Sequence, residues 1–278
     1  MRYGNSLVFS RILRLIVSFV KRKGSWSSVL TDLFSKGRIG GALGKSDRDC
    51  LEASLGDVAS FGPRKTIIER GERAHKFYYL IEGVTLKYRD DKRGERQIVG
   101  LNMPGDFIEY DTFVTDRLPY SIGTLDGAVV SSIPVAAMRD LMMRSSRLEK
   151  SIWIASLLEA AVYRQWIIRV GSMRAESRLA NLICELAARA KMVGLFDGQH
   201  LPIRLLQRDY AEACGITSNH TNRVFRSLRE RGALDVEDAG KVLIKNEALL
   251  KRIAQFDSTY LYPATNEKIF TPLFGKPL

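Results

Sequence analysis

The residues most able to do chemistry lie between Leu206 and Glu230. From Ser218 onward the apolar residues Val224, Phe225 and Leu228 return at three- and four-residue steps, the period of one buried helix face. The opposite face then carries Ser218, Asn219, His220, Asn222, Arg223 and Arg226. Such a set exchanges hydrogen bonds rather than electrons or acyl groups. An arginine fork matches the O6/N7 edge of guanine, and an asparagine amide matches the N6/N7 edge of adenine. Ser218, Asn219, Asn222 and Arg223 are therefore candidates for reading base edges in double-stranded DNA. Gln207, Arg208, Thr217, Thr221, Arg226 and Lys241 are candidates for phosphate contacts, which position a protein without specifying sequence.

These side chains need a scaffold, and the flanking sequence supplies one. Leu206 to Cys214 reads as a short helix, with Ala211 small where a second helix must approach. Gly215 suits the left-handed residue at a helix end. Ile216 is an apolar plug under the turn, and Thr217 can cap the helix that follows. Helix, glycine turn and longer helix make a helix-turn-helix. Ala233–Val236 and Lys241–Lys245 flank Glu237-Asp238-Ala239-Gly240 as a hairpin wing, and residues 246–256 predict a last short helix. Upstream, Glu176–Ala190 predicts a helix and Leu201–Ile203 a short strand. Leu148, Ile152, Ala155, Leu158, Val162, Gln165 and Arg169 recur at helical steps in an uninterrupted run from Leu148 to Val170. Gly171 is placed to close that helix. Trp153, Leu157, Ala161, Trp166 and Ile167 widen its apolar surface, so one face must pack on its own domain and another on something else. The first set is expected to pair with a second copy of the chain, since paired half-sites in DNA match a two-fold protein.

Between Thr66 and Pro134 the pattern changes to short apolar runs separated by turns every 8–12 residues. These include Thr66–Glu69, Phe77–Ile81, Val84–Tyr88, Arg96–Leu101 and Ser121–Ile133. Turns are expected at Glu82-Gly83, at Asp90–Gly94, at Asp126-Gly127, and at Pro104-Gly105, where glycine supplies the positive φ of a type II turn. The fold expected is α+β: an antiparallel β-roll, a long helix and a winged helix-turn-helix. Ser46 reads as the N-cap of a short helix before the roll. The divisions expected are an extension 1–45, a sensor domain 46–146, a dimer helix 147–171, a DNA-binding domain 172–256 and a tail 257–278.

Gly71-Glu72, Phe77-Tyr78-Tyr79-Leu80-Ile81-Glu82-Gly83 and Pro104-Gly105-Asp106-Phe107, in that order and spacing, resemble the sensor domain of the Crp/Fnr family of bacterial transcription regulators. The resemblance runs from about Ser46 to Asp257. Its recognition helix, Thr217-Ser218-x-His220-x-Asn222-Arg223, resembles a subgroup common in alphaproteobacteria. The resemblance implies a cyclic-nucleotide-binding-like roll, a parallel homodimer along the long helix, and RNA polymerase as a candidate partner. Arg223 aligns with the family's guanine-reading arginine, but the other two reading positions hold Ser218 and Asn219, so a half-site sequence does not carry over. The sensor departs as well. Where cyclic-nucleotide binders carry Gly-Glu for the ribose and Arg-Ser for the phosphate, this chain has Glu109-Tyr110-Asp111 and Tyr120-Ser121. A buried phosphate without a guanidinium loses its charge-assisted hydrogen bonds, so cyclic AMP is not expected to bind in the usual way. Glu109, Tyr110, Asp111, Tyr120 and Ser121 line either a pocket for an unknown effector or a vestigial one filled by its own aromatics. Cys50 alone cannot supply the cysteine cluster of an oxygen-sensing member, and no cofactor or metal is expected.

Charge sets the remaining bounds. The chain of 278 residues has a formal charge of +12. Residues 1–45 hold nine basic residues and one acidic; 46–163 hold 16 and 18; 164–252 hold 16 and 10; 253–278 hold two and two. A near-neutral domain joined to a basic one suits a sensor attached to a nucleic-acid binder. In the extension, Leu7, Val8, Ile12, Leu15, Ile16 and Phe19 fall at helical spacing, but Arg11 and Arg14 interrupt a run too short to span a bilayer. It reads either as a membrane-surface or partner-binding helix or, preferred, as a poorly ordered extension or one upstream of the native start. No small-residue cleavage site follows, so no secretory signal is expected, and a cytoplasmic location is. The alternative function is a membrane-associated or protein-binding module that uses this segment. A cupin-like metal enzyme would need clustered ligands, and His75, His200 and His220 are dispersed.

Overall fold

A computed structural model describes residues 43–237 and 240–261. The helix expected over residues 7–20 and the tail beyond Leu261 lie outside them, as do Asp238 and Ala239 at the tip of the wing. The first helix, α1 (Lys45–Ser54), starts one residue before the expected Ser46 cap. Asp47, in its first turn, accepts from the Gly44 amide at 3.1 Å and from the Ser145 hydroxyl at 2.5 Å, which ties α1 to the base of the long helix.

The roll consists of β1 (Val58–Phe61), β2 (Thr66–Ile68), β3 (Lys76–Asp90), β4 (Arg96–Asn102) and β5 (Ser121–Pro134). All pairs are antiparallel, in the order β1-β5-β3-β4, with β2 also on β5. Two expected turns are not turns. Gly83 and Gly127 have positive φ values of 84° and 110°, yet the strands run straight through them. A Cβ on Gly83 would lie 2.2 Å from the Gly127 carbonyl oxygen. The glycines let two backbones touch at a bulge, and β3 and β5 become single strands of 15 and 14 residues. The turn at Pro104-Gly105 does form: Gly105 has φ 95°, and the Asp106 amide donates to Met103 O at 3.0 Å.

After α2 (Val135–Arg144) comes the long helix α3 (Ser146–Ser172), 27 residues and about 40 Å at 1.5 Å per residue. Its cap is Ser145, whose hydroxyl accepts from the Leu148 amide at 3.0 Å. Gly171 does not end it; the helix continues to Ser172 and stops where Met173 turns extended. The second half contains α4 (Ala175–Met192), α5 (Gln207–Cys214), α6 (Ser218–Glu230), the hairpin β6 (Leu234–Val236) and β7 (Val242–Ile244), and α7 (Glu247–Ala254). Leu201–Ile203 is not a strand; instead Leu201 adds one hydrogen bond to the hairpin, from its amide to Val242 O at 2.9 Å.

The apolar core does not respect the division between the halves. One cluster lies under α1, α2 and the start of α3, around Phe77, Tyr79, Met138 and Leu148. A second fills the roll around Leu80, Ile108 and Val130. The third joins Leu86, Ile98 and Leu101 of the roll through Val162 and Trp166 of α3 to Leu182, Leu186, Phe225 and Leu228.

Candidate nucleic-acid interface

The pair α5–α6 is built as its residues dictate. Gly215 ends α5 with φ 61°, the left-handed region that a side chain would enter at a cost. Thr217 caps α6, its hydroxyl accepting from the His220 amide at 3.2 Å. Val224, Phe225 and Leu228 are buried, and Tyr210 of α5 meets Phe225 edge to face at 5.1 Å between centroids. The outer face is open to solvent: Ser218, Asn219, Asn222, Arg223 and Arg226 are exposed and His220 is half-exposed. Gln207 and Arg208 at the start of α5 and Lys241 at the wing are exposed too.

Thr221 departs from this set. It is fully buried, and its hydroxyl donates to Thr217 O at 3.1 Å. One step from Asn222 around the helix turns it toward the core, so it cannot grip a phosphate with its side chain. Arg174 was not legible as part of this surface. It is exposed, precedes α4, and shares an open groove with His220 and Arg223. Nothing in its local sequence separates it from an ordinary surface arginine.

The expected effector residues do not form one pocket. Tyr120 donates to Asp111 at 2.7 Å, and Lys87 lies 5.3 Å from the Tyr120 ring centroid. Lys87, fully buried on β3, donates to Glu159 and to the Tyr163 hydroxyl of α3, both at 2.9 Å. Burial alone would lower the Lys87 pKa, but the Glu159 carboxylate and the tyrosine phenols hold it well above the usual lysine range. Glu109 is buried and accepts from the Thr112 amide at 3.0 Å; burial raises its carboxyl. Tyr110 and Ser121 are placed elsewhere. Tyr110 packs edge-on to Phe107 in the apolar core, and the Ser121 hydroxyl accepts from the Arg70 amide at 3.0 Å. Lys87 escaped the sequence reading because a lone lysine in an alternating strand ordinarily faces water.

The long helix also corrects its assignment. Leu148, Ile152, Ala155, Leu158, Val162 and Arg169 are buried within this one chain and are not available to a partner; Gln165 is half-buried. Arg169 donates to Asn181 at 3.0 Å and pairs with Glu185, which also accepts from Trp166 at 3.1 Å and from Tyr260 at 3.0 Å. Burial would raise the Glu185 carboxyl, but the Arg169 and Arg189 guanidiniums outweigh it and hold it low. The open face of α3 is instead Trp153, Leu157, Ile167 and Ile168, 48–71% exposed.

Among the described residues no helix is long and apolar enough to cross a membrane, and no group of three His, Cys, Asp or Glu side chains is placed to hold a metal ion.

Two family models match the chain. A cyclic nucleotide-binding domain covers residues 58–145, and a Crp-like helix-turn-helix domain covers residues 177–253. An anaerobic regulatory protein of Pasteurella multocida is 25% identical over 205 residues, 74% of each chain. The nitrogen fixation regulation protein FixK of Bradyrhizobium diazoefficiens is 24% identical over 191 residues, 68% of this chain and 79% of the relative. In fold, FixK2 from Bradyrhizobium japonicum superposes with a TM-score of 0.64 at 18% identity, over 71% of this chain and 96% of that one. A CRP-family regulator from Thermus thermophilus gives 0.60 at 20% identity, over 74% and 100%. A roll that matches the cyclic nucleotide-binding domain, a long helix and a winged helix-turn-helix together define a DNA-binding transcription regulator. Within that class the chain belongs to the Crp/Fnr family.

Proposed function

We propose that this regulator works as a homodimer. It reads a two-fold DNA site with Ser218, Asn219, Asn222 and Arg223 of α6, and its sensor does not take up cyclic AMP in the usual way. The observation that carries the reading is the open face of α6: a capped, well-packed helix whose exposed side is polar and cationic. Gln207, Arg208, Thr217, Arg226 and Lys241 serve the phosphates, joined by Arg174. The exposed stripe of Trp153, Leu157, Ile167 and Ile168 supports pairing with a second copy, because four large apolar side chains on one helix face favour burial. Tyr120 and Asp111 are already hydrogen-bonded to each other, and Lys87 beside the Tyr120 ring is held by Glu159 and Tyr163, which supports a sensor that does not take cyclic AMP in the usual way. The division into sensor, dimer helix and DNA-binding domain, a cytoplasmic location, RNA polymerase as partner, and the absence of catalysis belong to the same reading.

The test is fluorescence anisotropy on the DNA that the full-length protein selects from a random duplex pool. Arg223→Ala should cost about 1–3 kcal/mol, confined to one base position per half-site. Adding cyclic AMP should leave the affinity unchanged. Equal weakening of Arg223→Ala on every sequence would assign Arg223 to phosphate only, and a cyclic AMP response at micromolar concentration would sink the sensor reading.

A further inference from the structure

Arg64 lies in the turn between β1 and β2, in the sequence Gly62-Pro63-Arg64-Lys65, where a charged residue ordinarily means a solvated turn. Its backbone has φ 57°, a left-handed conformation that glycine adopts freely and a side chain only at a cost. The turn is fixed by Thr124 of β5, 2% exposed. The Thr124 hydroxyl donates to Gly62 O at 2.7 Å and accepts from the Lys65 amide at 2.9 Å, and its amide donates to Lys65 O at 2.8 Å. From this anchored turn the guanidinium reaches Asp209 of α5 with two parallel bonds, of 2.5 and 2.7 Å.

Asp209 is anchored too. It is 1% exposed, and its other role is to accept from the Leu206 amide at 2.6 Å, closing the first turn of α5. One turn further along, Gln97 of β4 donates to Glu212 O at 2.5 Å. Two sensor residues thus hold α5, and α5 carries the turn that aims α6. A bidentate arginine–carboxylate pair fixes orientation as well as distance. In a dimer, the separation of the two α6 helices is set by where each rests on its sensor, and half-site spacing follows that separation.

We propose that Arg64, a residue of the sensor roll, is a specificity determinant: through Asp209 it sets the spacing between half-sites that the protein accepts. This rests on the dimeric reading above. The full-length protein is measured on its selected DNA, on the same half-sites with the spacer longer or shorter by one base pair, and on an isolated half-site. The wild type should prefer one spacing by about tenfold or more. Arg64→Ala should lose most of that preference and keep its base preference on the isolated half-site. Arg64→Lys, which keeps the charge but not the fork, should fall between. Because Arg64→Ala leaves a buried carboxylate unpaired, Arg64→Ala/Asp209→Asn is measured beside it; asparagine keeps an acceptor for Leu206, and the double variant should show the same lost preference. Wild-type spacing ratios in both variants would overturn the proposal alone. A wild type indifferent to spacing would overturn the dimeric reading and the proposal with it.

Discussion

Lys87 shows how one residue can link two elements without touching solvent. Its ammonium has three donors, and two are used by Glu159 and Tyr163 on α3. The pair is costly to break from one side, because the survivor remains buried and uncompensated. Lys87→Met should therefore lower stability by about 3–5 kcal/mol in urea unfolding, and Lys87→Met/Glu159→Gln should recover much of the loss. If the single variant were as stable as the wild type, the network would be ornamental. The pH dependence has a definite sign. A lysine raised by its partners contributes fully below its ordinary value, and the contribution is lost only as the pH climbs through the elevated one. This pair should hold through the neutral range and fail in strong alkali.

At the scale of elements, α3 has two apolar faces with different work. Leu148 and Ile152 hold the helix on the roll, while Trp153, Leu157, Ile167 and Ile168 look outward. Leu148→Ala should cost about 2–5 kcal/mol of folding stability. Ile167→Glu should leave the monomer folded by circular dichroism and shift sedimentation toward the monomer; an unchanged dimer would place the interface elsewhere. The period of the helix was legible in the sequence, but its phase was not. An amphipathic pattern says that a face is buried, and only the neighbouring residues decide which buried face belongs to the chain itself. Arg169 falls on the face expected for a partner for that reason, although its true partners Asn181 and Glu185 lie on the next helix. Gly83 and Gly127 lie within strands, not at the expected turns, because glycine marks both a turn and a close approach of backbones, and the choice depends on a strand far away in sequence. The helix-turn-helix was legible throughout because its signals are local: cap, turn glycine, inner stripe. Thr221 alone escaped, through a single step of helix phase.

At the scale of the molecule, charge and contact are distributed differently. The excess of basic over acidic residues in 164–252 lies on the half that carries α6, while 46–163 is close to neutral. Affinity for DNA should therefore fall steeply with salt, by about 0.9 in log K per decade of salt for each phosphate neutralised. Arg226→Ala should shallow that slope by about one such contact without altering base preference; an unchanged slope would remove Arg226 from the phosphate contacts. The shared core has the opposite character, since Leu86 and Ile98 of the roll pack into the same cluster as Leu182 and Leu228. Heat should then melt the described body as one cooperative unit rather than as two domains in succession. The genetics of such a regulator would be deceptive: a cavity carved in the roll would abolish operator occupancy by lowering the amount of folded protein. A screen for signal-blind mutants would fill with variants that had lost no signal at all.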